Sequence, residues 1–122
     1  MLGRLTHNGV RFGMVAAAVI PDNVIVETDS NGKAVLAGVG QLGTGFTQAG
    51  AAAIGDDVLA FDKSGEAPIR CAATWDEGNY LKCAADGELT PETDPAVPTA
   101  FTVAQASEAA TVVHKPYLVR FI

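Results

Sequence analysis

Val58-Leu59-Ala60-Phe61, Asp62-Lys63-Ser64-Gly65, Ile69-Arg70-Cys71-Ala72-Ala73, Trp75-Asp76-Glu77-Gly78-Asn79 and Tyr80-Leu81-Lys82-Cys83-Ala84 alternate short apolar runs with turn residues through the middle of the chain. Each run is strand-sized, and the Asp, Ser, Asn and Gly between them favour tight reversals. Asp86-Gly87 turns the chain again. Turns about eight to twelve residues apart predict a small antiparallel sandwich or barrel, because each hairpin lays one strand beside the last.

Working upstream, Val24-Ile25-Val26 is β-branched, and Asp29-Ser30-Asn31-Gly32 follows, with Asn-Gly set to supply the positive φ angles of a hairpin. Ala34-Val35-Leu36 is the return strand. Residues 38–55 hold six glycines and read as a glycine-rich loop, with a short helix or irregular loop over 49–54. Downstream, Pro91, Pro95 and Pro98 keep residues 90–98 out of a regular ladder, which predicts an ordered surface loop or arm. Phe101-Thr102-Val103-Ala104-Gln105 resumes alternation, Ser107 caps one helical turn over 107–110, and Thr111-Val112-Val113 is β-branched again. Residues 117–122 form a last strand, its apolar end paired in a sheet rather than left as a sticky edge.

A length of 122 residues holds one domain with one core. At 48% apolar and 18% charged residues the chain is not a disordered one, yet 21 of the apolar residues are Ala and the aromatics are five Phe, two Tyr and one Trp. The core is therefore thin and depends on close backbone approach. A net charge of -6 leaves no basic surplus for a phosphate backbone, so nucleic acid is not an expected partner. The acidic residues Asp86, Glu88, Glu92 and Asp94 read as solvated loops. Met14-Val15-Ala16-Ala17-Ala18-Val19-Ile20 looks like the apolar part of a signal peptide, but Pro21-Asp22-Asn23 leads straight into a strand and the run falls short of the ~18 residues a membrane span needs. The expected product is soluble, unprocessed and free of the membrane.

Chemistry-bearing patterns are sparse. Gly38-Val39-Gly40-Gln41-Leu42-Gly43 matches G-x-G-x-x-G after a strand, with Asp62 about 20 residues on, but Gly45, Gly50 and Gly55 leave no room for the helix that must face a pyrophosphate. His7 and His114 sit in no triad or metal-ligand context, Ser64 is in no nucleophile elbow, and Asp56 and Asp57 point to opposite faces of a strand. Asp29-x-Asn31-Gly32 opens like a calcium loop but lacks the later bidentate acid. Cys71 and Cys83 lack the repeated pairs of a zinc site. Their similar contexts, Arg70-Cys71-Ala72-Ala73 and Lys82-Cys83-Ala84-Ala85, put them on neighbouring strands of a hairpin, either as a disulfide in an extracellular protein or as two buried thiols. No catalytic set, metal or cofactor is expected.

Gly55-Asp56-Asp57-Val58, Asp62-Lys63-Ser64-Gly65-Glu66-Ala67, Gly78-Asn79-Tyr80-Leu81-Lys82 and Ala84-Ala85-Asp86-Gly87-Glu88-Leu89-Thr90-Pro91 together resemble the small decoration, or cement, proteins of tailed-phage capsids. In that group a G-D-x-V strand and an A-x-D-G-x-(T)-P turn recur, and a terminal V-R-hydrophobic strand, here Val119-Arg120-Phe121-Ile122, closes the domain. The resemblance spans roughly residues 24–122; the glycine richness of 38–55 and the apparent insertion at 107–117 depart from it. It implies a structural virion protein, made in the host cytoplasm, that sits on the outer capsid surface, often as a homotrimer. There it clamps neighbouring major capsid protein subunits, without catalysis. The alternative is another β-rich phage or surface module: a tail or fibre component, or a carbohydrate-binding domain with Trp75 and Tyr80 as the stacking pair, residues that otherwise read as core or hairpin packing.

The reading is an all-β, mainly antiparallel protein. It is a small β-barrel or β-sandwich with a glycine-rich loop, at most one or two short helical turns, and an N-terminal arm over 1–20 ahead of a single domain over 21–122. The arm carries apolar residues without a strand partner, which added-strand pairing on a neighbour would bury. Leu5, Val10 and Phe12 of the arm and Pro91, Pro95 and Pro98 of the proline loop are the expected capsid or inter-subunit contacts.

Overall fold

A computed structural model describes residues 11–50 and 53–122. Among the described residues ten strands run β1 (Arg11–Val15), β2 (Ile25–Thr28), β3 (Ala34–Leu36), β4 (Gly45–Thr47), β5 (Asp57–Phe61), β6 (Glu66–Arg70), β7 (Tyr80–Cys83), β8 (Leu89–Pro91), β9 (Thr102–Ala106) and β10 (Pro116–Phe121), with one 3-10 turn at Ala85–Gly87. They form two antiparallel five-stranded sheets, ordered β1-β5-β4-β2-β3 and β6-β10-β9-β7-β8, in a sandwich-like arrangement. Each sheet curls until its edges touch at one parallel bridge, Ala16 with Ala34 in the first and Cys71 with Leu89 in the second.

The second sheet repeats the first. Strands β1, β2 and β3 map onto β6, β7 and β8 at a spacing of 55 residues, as Ala16 maps onto Cys71 and Ala34 onto Leu89. Strands β4 and β5 map onto β9 and β10 at a spacing of 59, so the partners Phe46 and Phe61 correspond to the partners Gln105 and Arg120. The left-handed positions correspond too: Asn23 (φ 59°) with Gly78 (φ 88°), Gly32 (φ 76°) with Gly87 (φ 72°), and Gly55 (φ 92°) with His114 (φ 70°). The four-residue difference in spacing is an insertion between β8 and β9.

Two apolar clusters follow from this plan. Met14, Ala16, Ile20, Val24, Val26, Ala34, Val58 and Ala60 fill the concave side of the first sheet. On its other face Ile25, Phe46 and Phe61 join the larger cluster of the second sheet, with Ile69, Trp75, Leu81, Leu89, Val119 and Phe121. Phe46 stacks between Phe61 and Phe121, at ring-centroid distances of 5.5 and 5.0 Å. Small side chains are what let the curled sheets close this tightly: Ala16, Ala34, Ala60, Ala67, Ala104, Ala106 and Ala110 are all buried.

Several local expectations differ from the structure. Residues 11–20 are not an arm: β1 pairs along its length with β5, and Met14, Ala16 and Ile20 are buried, because the apolar alternation supplies the first sheet with its edge strand. Residues 1–10 lie outside the described residues. The β2–β3 hairpin has Gly32, not Asn31, in the left-handed region. Gly32 N–H donates to Asp29 O at 3.0 Å, and the Asp29 carboxylate accepts from the amides of Asn31 and Lys33. Thr90 and Pro91 belong to edge strand β8, where a missing N–H costs nothing on the open side. No helical turn forms at 107–110, since Ser107 Oγ donates to Glu66 at 2.6 Å and Ala110 bridges to Trp75. Cys71 and Cys83 are both buried and free. They are not on hairpin partners: Cys83 in β7 pairs with Leu89 from one side and Cys71 bridges to it from the other. That places them two strand spacings apart, about 9.5 Å, beyond disulfide reach.

Candidate interaction surface

The loop over residues 92–101, which carries the four-residue insertion distinguishing the second half from the first, is braced. Its foot is Glu92, which the sequence placed in a solvated loop but which is only 5% exposed. The Glu92 carboxylate accepts from the hydroxyls of Thr99 at 2.8 Å and Thr102 at 2.7 Å, and Lys82 Nζ lies 4.0 Å away. These partners offset the desolvation of a buried carboxylate. Tyr80 N–H donates to Pro95 O at 2.9 Å, tying the loop to β7, and the Asp94 carboxylate accepts from Ala96 N–H.

So held, the loop presents Val97 and Phe101, 50% and 56% exposed, around an open cleft of about 420 Å³ that Lys82, Thr93 and Asp94 also line. A rigid loop that exposes two large apolar side chains has the character of a contact surface rather than a reaction site. Of the expected contact residues, Pro95 and Pro98 lie in this loop and Pro91 at its start, half-buried in β8. Phe12 lies in β1 opposite Ala60, and Leu5 and Val10 fall outside the described residues. Val97, Phe101 and Glu92 were not singled out from sequence, because Phe101 reads as the start of a strand and Glu92 as one more surface acid.

The other candidate sites have structural roles. In the Gly38–Gly43 stretch, Gly38 N–H is spent on Gln41 Oε1 at 2.6 Å and Gly40 N–H on Cys83 O at 3.1 Å, and strand β4 follows instead of a helix. The alternative of a Trp75–Tyr80 stacking platform does not form, and Trp75 packs in the core as its other reading has it: it is buried, donates Nε1–H to Glu108 O at 2.9 Å and meets Tyr117 edge-on. His114 holds the Glu88 carboxylate at 2.9 Å on the surface. Among the described residues no three His, Cys, Asp or Glu side chains group as a metal site, and no helix is long and apolar enough to cross a membrane. Burial pushes the Cys83 thiol up to about 11 and pulls the half-buried Lys63 ammonium below its ordinary value, nearby Cys83, Glu27 and Asp62 partly opposing the latter.

No family model matches the sequence, and no curated protein matches it. Among solved structures the chain is similar to the N base of head fiber gp8.5 of bacteriophage phi29, with a TM-score of 0.77 over 93% of this chain and 94% of that one at 14% identity. That likeness is one of fold.

Proposed function

We propose that the protein is a structural component of a phage virion, held on the outside of the head, where it makes protein contacts and carries out no reaction. The observation that carries the reading is the shared fold over 93% of the chain with the base of a phage head fibre. The braced apolar loop is consistent with it, since a protein that must stay on a particle needs preorganised contact surface more than a cleft for chemistry. Within this reading two attachments are distinguished. A decoration protein clamps neighbouring major capsid protein subunits, as the sequence resemblance implies. A fibre base anchors a longer appendage, and the structural neighbour favours this second form.

The test is co-sedimentation of the purified chain with heads of a tailed phage that carries this sequence. The chain is expected to travel with the heads. Raised resistance of the heads to heat or chelation identifies the clamp, and unchanged resistance identifies the fibre base.

A further inference from the structure

The two halves are joined through different faces, and the repeat shows which faces remain open. The first half contributes Ile25, Phe46 and Phe61, all buried. The second half receives them with Phe121 and the turn at Gly87, whose N–H donates to Ala37 O at 2.8 Å, while Arg70 N–H donates to Asn23 O at 2.8 Å and Gly40 N–H to Cys83 O at 3.1 Å. A two-fold joint would bury the same positions in both halves. Here the counterparts of Ile25, Phe46 and Phe61 are Tyr80, Gln105 and Arg120, which retain solvent exposure. The counterparts of Cys83, Gly87 and Phe121 are Thr28, Gly32 and Asp62, all exposed. The joint is therefore head-to-tail, and each end of the chain offers the half of it that the other end lacks.

The open halves complement each other. In the internal joint three rings stack, Phe61 on Phe46 on Phe121. At the open ends the same three positions carry Arg120, Gln105 and Asp62. Arg120 Nη2 already donates to Gln105 Oε1 at 2.9 Å, which orients the guanidinium and leaves it further donors for a carboxylate. The Val97 and Phe101 loop rises beside this face, since it follows β8 as the Ala37–Gly40 segment follows β3, and that segment touches the second half. A cleft of about 370 Å³ lies between β1 and the β2–β3 turn, lined by Val15, Asn31, Gly32, Lys33 and Asp57. It is the counterpart of the place where the first half is seated on the second.

We propose that the chain self-associates head to tail by repeating its internal joint, the Tyr80, Gln105 and Arg120 face of one copy docking on the Thr28, Gly32 and Asp62 end of the next, so that Asp62 is seated against Gln105 and within reach of the Arg120 guanidinium that Gln105 holds. The occupant is a second copy because the charge and the register of the two open faces match each other. The claim is independent of any particle and is tested without one.

Sedimentation or native mass measurement of the full chain at tens of micromolar gives multiples of 12.5 kDa. Asp62→Lys or Arg120→Glu, each at an exposed position, sets like charges face to face and weakens association by at least about tenfold. An equimolar mixture of the two variants restores it, since every joint then pairs opposite charges. Thr28→Arg is a second disrupting variant, and an unchanged far-ultraviolet circular dichroism spectrum shows that folding is intact. A monomeric wild type, or oligomers indifferent to both charge reversals, overturns the proposal.

Discussion

Gly87 and Gly32 occupy the same place in the two halves and the same left-handed backbone region, yet only one of them is pressed against a neighbour. A Cβ at Gly87 runs into the Ile25 carbonyl, whereas one at Gly32 meets nothing within 4 Å. Gly32→Ala should therefore cost about 1 kcal/mol, the left-handed penalty alone. Gly87→Ala should cost at least about 2 kcal/mol more, because the joint between the halves must open. Denaturant unfolding of the two variants checks this, and equal losses would contradict the joint as described. Cys83 makes a second prediction at this scale. Burial raises its thiol from 9.0 to about 11, so the folded state resists ionisation that the unfolded state undergoes more easily. Stability from this source is complete below about pH 9 and is lost as pH rises toward 11. The fall in melting temperature between pH 8 and 10.5 should be smaller in Cys83→Ala than in the wild type; an identical fall would rule out the thiol as its source.

The strands were legible in the sequence where side-chain alternation and turn chemistry agree. Ala34–Leu36 matches its predicted strand, β5 and β7 fall where the apolar runs place them, β2 begins inside its run and extends two residues past it, and β6 begins three residues ahead of the Ile69–Ala73 run and ends at Arg70. The sequence misleads where a residue's partner is far along the chain. Residues 11–15 lack a local hairpin partner and so resembled an arm, but their partner is β5, more than forty residues away. Glu92 misleads for a different reason: Thr99 and Thr102, which satisfy it, are near in sequence but meet it only once the loop folds back onto the start of β9. That loop is where the candidate contact surface resides, and its brace is testable. Glu92→Ala leaves both hydroxyls without their acceptor and should cost about 1 to 3 kcal/mol while raising amide exchange selectively in residues 93–101. Protection unchanged there would mean that the loop is held by something else.

At the scale of the molecule, the repeat is the feature least visible in the sequence. What recurs is register, bridge position and left-handed backbone; side chains at equivalent places range from Phe46 to Gln105 and from Phe61 to Arg120. The substitution follows from use: one copy of the face is buried within the chain and the other is not, so the same backbone carries rings in one place and polar groups in the other. A thin, Ala-rich core divided between two curled sheets suits a module that gains stability from contacts with neighbours. The most direct measurement is the gradient run of the chain with phage heads. The account predicts that the protein moves to the density of the heads and stays there through a second gradient. Protein that remains at the top, with full and empty heads alike, would contradict it.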